Sequence, residues 1–186
     1  MGFRRGFKTE AESLAVEVRG ELGLHVLDRL DPLVLADHLE IPVLTLSALG
    51  AKAPRALQHF HRVEPEAFSA ATIFLGQHRA IVHNDGHSPS RQVSDLAHGL
   101  LMHPPSPALD DRGCRFWDQG IEDEAAFLAG ALLIPRDACV SMAVRKVLLA
   151  KIALDFGVST KMADYRLNIS GARKIAERSQ HRRQRR

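Results

Sequence analysis

Apolar and polar positions recur along this chain with two different periods, and each change of period marks an element. In "KTEAESLAVEVRGELGL" the residues Ala11, Leu14, Ala15, Val18 and Leu22 are spaced by three and four, the period of one helix face. Gly23 then stands where a helix ends. "LDPLVLADHLEIPV" predicts a short second helix, with Asp31 as N-cap and Pro32 in its first position, finished before Ile41 and Pro42. The pattern turns β-rich in "ATIFLGQHRAIVHN", where Thr72 to Leu75 and Ala80 to Val82 form two runs split by a polar turn around Gly76. This is the chain's one good hairpin signal. "NDGHSPSRQ" reads as loop, and Ser88 with Pro89 starts the helix carrying "SDLAHGLLMH". "PPSPALDDRG" is irregular, "IEDEAAFLAGALLIP" is helix until Pro135, and Val140 to Leu154 is a further helical stretch. Helices dominate around a small sheet, so the expected class is α+β.

With 186 residues, 45% of them hydrophobic, the chain can bury one real core, and a single domain over 1–172 followed by a basic tail over 173–186 is expected. No run approaches a membrane span, "MGFRRGFKTE" has no apolar stretch after its charges, and Gly2 lacks a Ser or Thr at position 6. The expectation is a cytoplasmic protein with no membrane partner. Two cysteines without CxxC spacing, Cys114 and Cys139, fit a reducing compartment. The net charge of +3 hides an asymmetry. The last 14 residues, "RKIAERSQHRRQRR", hold 7 of the 25 Lys and Arg and 1 of the 22 Asp and Glu, which leaves 18 against 21, or −3, for the rest. Such a tail can touch nucleic acid non-specifically, although a frayed, solvated end is the plainer expectation.

"SDLAHGLLMH" raises the chemical question. His98 and His103 are five residues apart on an apolar helix, and positions i and i+5 diverge by roughly 140°, so a regular helix cannot aim both at one ion. Downstream, Glu122, Ala125 and Ala129 share a helix face. Glu122, Asp123 and Glu124 would suit any helix N-terminus. They also lie one loop away from the histidine helix, and two helix histidines with a downstream carboxylate are how a catalytic zinc is usually held.

"VHNDGHSPSRQVSDLAHGLLMHPP", "LDDRGCRFWDQGIEDEAAFLAGALLIP" and "FGVSTKMADYRLNISGARK" resemble the ImmA/IrrE family of zinc metallopeptidase-like proteins, as do the lead-in segments "RRGFKTEAESLAVEVRGELGL" and "LDPLVLADHLEIPV". The resemblance implies a mainly helical zincin-like domain with a small sheet, zinc as cofactor, and regulatory proteins such as repressors as the substrates of its relatives. It also implies HExxH on a helix and a downstream Glu in an E-x-x-A pattern, which maps to Glu122, with Glu124 competing. The signature itself departs. A family-like chain would read "LAHELAHGLLMH" where this one reads "LAHGLLMH". The four missing residues count as HELA or as ELAH, so His98 stands for either motif histidine. In both alignments the general-base Glu and one zinc ligand are gone, so zinc is expected to bind weakly or not at all and no catalytic residue is assigned. The candidate metal residues are His98, His103, Glu122 and Glu124.

Weaker constellations remain. His83, Asp85 and His87 in "HNDGH" sit in a loop; His59 and His61 read as surface residues; Cys114 could approach His98; Cys139 reads as a buried helix residue. In "IALDFGVSTKMADYRL" Ala153, Gly157 and Val158 match a helix-turn-helix, and Arg166, Arg173 and Lys174 supply positive charge nearby. DNA binding is therefore the alternative reading, against a scaffold role for these helices.

Overall fold

The β-rich runs pair as the hairpin the sequence predicts. A computed structural model describes residues 3–50, 52–75, 78–101 and 119–184. The chain divides into two compact units, one of Met1–Arg5 with Asp31–Ala126 and the other of Gly6–Leu30 with Phe127–Arg186.

In the first unit, helix α2 (Pro32–His38) starts as expected: the Asp31 side chain accepts from the Leu33 N–H at 2.9 Å and Pro32 occupies the first turn. Strand β1 (Val43–Thr45) follows, then the short helices α3 (Leu46–Leu49) and α4 (Pro54–Gln58) and a π-helical turn, His59–Val63. Strands β2 (Ala70–Leu75) and β3 (His78–His83) are antiparallel, with Thr72 opposite Ile81. β1 lies parallel to the other side of β3, giving the order β1-β3-β2. Its three residues are too few for a period-two signal, so the sequence does not announce it. The central strand carries the buried residues Ile81, Val82 and His83. Helix α5 (Pro89–Leu101) packs on this sheet and on α2, and it buries Leu96, Ala97, Gly99 and Leu100. At Gly99 a Cβ would lie 3.4 Å from the Ile81 side chain. The first residues of α6 (Gln119–Leu133) complete the unit.

In the second unit, α1 (Phe7–Glu21) buries Phe7, Ala11, Ala15, Val18 and Arg19. Leu14, read as part of the apolar stripe, is 39% exposed. The guanidinium of Arg19 is buried, donating to the carbonyls of Leu132 and His25 at 2.9 Å each. The expected single helix over Val140 to Leu154 is two: α7 (Arg136–Val144) and α8 (Leu149–Phe156). The break falls where Lys146 takes φ 56, a left-handed conformation that non-glycine residues rarely adopt and no local signal predicts. Gly157, at φ +66, ends α8, and Ser159 caps α9 (Thr160–Ile169) by accepting from the Met162 N–H at 3.1 Å. The segment expected to fray is helix α10 (Ala172–Gln184), which buries Ala172 and Ala176 and packs on α7 and α9. Among the described residues, no single helix is long and apolar enough to cross a membrane.

Candidate metal centre

The sheet fixes the roll of α5. With Leu96, Ala97, Gly99 and Leu100 buried, His98 keeps about a third of its side chain exposed. Across from it, the N-terminal part of α6 presents three consecutive carboxylates, which a helix splays by about 100° each. Each finds a different partner. Glu122 Oε2 lies 3.1 Å from His98 Nε2, Asp123 accepts from Gln119 Nε2 at 2.8 Å, and Glu124 accepts from the Arg4 N–H at 3.2 Å with the Arg4 guanidinium at 3.6 Å. Of the two glutamates open in the sequence, Glu122 is the one brought to His98. His103 and Cys114 lie outside the described residues.

A zinc ion tests this pair. Two ligand atoms each about 2.0–2.1 Å from a tetrahedral zinc stand about 3.3 Å apart, so 3.1 Å suits two corners of such a site. It suits equally a direct histidine–carboxylate hydrogen bond. A catalytic zinc takes three protein ligands with water in the fourth position, and among the described residues no group of three or more His, Cys, Asp or Glu side chains could hold a metal. Among the described residues His98 with Glu122 is half of a shell, one protein ligand short of a hydrolytic zinc. Nor does a carboxylate follow His98 to take a proton from bound water, since Gly99 is there and its position is packed against Ile81.

Next to this pair, between the sheet and the start of α5, runs a polar network whose pairings the sequence did not reveal. Asn84 is buried and donates to the Phe68 carbonyl at 3.0 Å, while its side-chain oxygen accepts from the Gly86 N–H at 3.0 Å. His87 Nε2 lies 2.8 Å from the Pro65 carbonyl and its Nδ1 3.5 Å from Asp95 Oδ2. Burial raises the Asp95 carboxyl above its ordinary range, against the opposing pull of His87 and Arg91. Asp85 accepts from the Ser47 N–H at 3.0 Å, and His61 Nε2 stands 3.9 Å from the same carboxylate oxygen. Asp85 and His87 therefore take separate partners, and His83, Asp85 and His87 form no group that could hold a metal among the described residues. The i to i+3 and i+4 relation of Asp95 to Arg91 and His98 on α5 was visible in the sequence; the partner His87, from the loop before it, was not.

The residues read as DNA contacts lie in the other unit. Arg166 is completely buried: its Nη2 donates to Glu12 Oε1 at 2.7 Å and its Nε to the Ile134 carbonyl at 2.9 Å. Its charge therefore serves the interior and reaches no solvent-facing partner. Arg173 pairs with Asp164 at 2.5 Å, and Lys174 is exposed. Cys139 is buried on α7, where burial pushes its thiol up.

No curated protein and no solved structure matches the chain significantly. A family model does: that of the IrrE N-terminal-like domain, peptidase family M78, over residues 36–168. That span includes β1 to β3, the α5 helix with His98, the start of α6 with Glu122, and the α7 to α9 helices. The match covers well over half of the chain, and with it the chain belongs to the ImmA/IrrE-type metallopeptidase family.

Proposed function

We propose that this chain is an ImmA/IrrE-type metallopeptidase-like domain that engages a regulatory protein, of the repressor kind its relatives cleave, and does not hydrolyse it. The observation that carries the reading is the direct 3.1 Å approach of His98 to Glu122 with no third ligand beside them among the described residues and with Gly99, not a glutamate, after His98. Two protein ligands hold a catalytic metal poorly, because affinity and the lowered pKa of bound water depend on a complete, oriented shell. The fold tolerates this. The His98–Glu122 contact links α5 to α6 without a metal, so the surface a partner would meet is held by packing and that hydrogen bond. The test is elemental mass spectrometry on the purified full chain. Zinc well below one per chain, lost on mild chelation, is the expected result. A near-stoichiometric zinc that resists chelation, or cleavage of any protein that blocking the metal with phenanthroline abolishes, would refute the proposal.

A further inference from the structure

Helix α10 is held by its alanines. Ala172 and Ala176 are buried against the second unit, with Ile175, Ser179 and Gln180 half-buried beside them, so the roll of the helix is fixed. The exposed arc holds Arg173, Lys174, Glu177, Arg178, His181 and Arg182. Within it Lys174, Arg178 and Arg182 stand at i, i+4 and i+8, a row of cations advancing about 6 Å and turning about 40° around the helix per step. Arg173 has Asp164 for a partner. The three members of the row have no carboxylate partner among the described residues.

Nothing in the packing of α10 calls for this row. Like charges at i and i+4 repel. A cation in the last turn suits the helix dipole, which covers Arg182, but Lys174 lies in the first turn, where the dipole opposes it and no acidic residue compensates. The row also belongs to a chain whose remainder carries a net −3. A ligand that supplies the missing negative charge at matching intervals accounts for all three observations. Duplex nucleic acid carries one charge per about 1.7 Å of its axis, so a rigid cation row laid along it always meets phosphates. A bilayer surface is a poor match, because the arc has no exposed apolar residue to enter the interface.

We propose that Lys174, Arg178 and Arg182 on α10 form a docking row for the phosphate backbone of double-stranded nucleic acid, bound without regard to base sequence. Phosphate contacts position a protein and read no bases, so this differs from the groove-reading helix-turn-helix alternative, and it does not depend on the state of the metal centre.

The experiment measures binding of the full chain to a labelled random-sequence DNA duplex by anisotropy across a salt series. Each phosphate contact contributes about −0.9 to the slope of log affinity against log salt, so the combined change Lys174→Gln, Arg178→Gln and Arg182→Gln should flatten that slope by about 2.7. Each doubling of salt should then cost the variant about six-fold less affinity than it costs the parent. Glutamine is nearly as good a helix former as Lys or Arg, so the helix stays formed, and a second variant keeps the test independent of folding: Lys174→Arg with Arg178→Lys and Arg182→Lys preserves the charges and should preserve the slope. A control triple, Lys52→Gln, Arg55→Gln and Arg62→Gln, removes the same net charge elsewhere and should leave most of the slope in place. An unchanged slope in the α10 triple, equal flattening by the control, a persistent preference for one duplex sequence, or tighter binding to phosphatidylserine vesicles than to the duplex would each overturn the proposal.

Discussion

Glu12 and Arg166 are 154 positions apart in the chain and meet as an internal ion pair, Arg166 Nη2 donating to Glu12 Oε1 at 2.7 Å. The other oxygen of the same carboxylate accepts from the Arg136 N–H at 3.1 Å, at the start of α7, where Pro135 supplies no side-chain cap. One carboxylate therefore neutralises a fully buried guanidinium and satisfies a helix N-terminus. The Phe127 ring, 5.3 Å from the guanidinium carbon, adds a cation–π contact. Pairs of this kind matter most when half of one is removed, because the partner's charge is left buried and uncompensated.

Glu12→Ala should therefore lower the unfolding free energy by about 3–5 kcal/mol, measured as a shift of the urea midpoint at constant slope. Combining it with Arg166→Met should recover much of that loss, since an apolar side chain of similar length replaces the orphaned charge. A Glu12→Ala variant as stable as the parent would show that Arg166 does not depend on this carboxylate.

His83 sets a pH dependence in the first unit. It is buried on β3 with its Nδ1 lacking a partner among the described residues, and burial lowers its pKa from 6.5 against the weaker raising influence of Asp85 and Asp95. The unfolded chain therefore binds a proton here that the folded chain refuses. Between the folded value and 6.5 stability rises with pH, so acidification through that window costs stability. His83→Leu should reduce the loss in urea midpoint between about pH 7.5 and about pH 5.5. An identical pH profile for parent and variant would mean that some other histidine carries the dependence.

Legibility in the sequence follows the range of the interactions involved. The hairpin, the Asp31 cap and the α5 and α6 helices were readable because period and cap chemistry are local. β1 was not, because three residues carry no pattern and it forms only by pairing with β3. The separation of α7 from α8 rests on a left-handed Lys146, for which sequence offers no glycine. Arg166 looked like a surface cation because its partner is on α1, beyond any local window. At the candidate metal centre the broken spacing of His98 and His103 was legible from helix geometry alone, while the choice between Glu122 and Glu124 was not. A two-residue difference of about 200° on α6 decides it, and only the packing against α5 sets that angle.

That angle makes the last prediction specific. Inserting Glu-Leu-Ala-His after His98 produces "HELAHGLLMH" whichever motif histidine His98 represents, so the ambiguity of the alignment does not enter. Four residues add about 400° of rotation, some 40° more than a whole turn, which nearly preserves the phase of the apolar residues that follow. The insertion places two histidines at i and i+4 on one face with a glutamate beside the first, and Glu122 already faces His98 from α6. Three protein ligands and an open fourth position are then available. The inserted chain should bind about one zinc, and because zinc would bind only the folded form, an excess of 100 times its dissociation constant should add about 2.7 kcal/mol of stability. In that background Glu122→Gln should weaken zinc binding far more than Glu124→Gln, whose carboxylate is turned toward Arg4. A soluble, folded insertion variant that takes up no zinc, or one in which Glu124→Gln is the damaging change, would show that His98 and Glu122 are not the remnant of a metal shell.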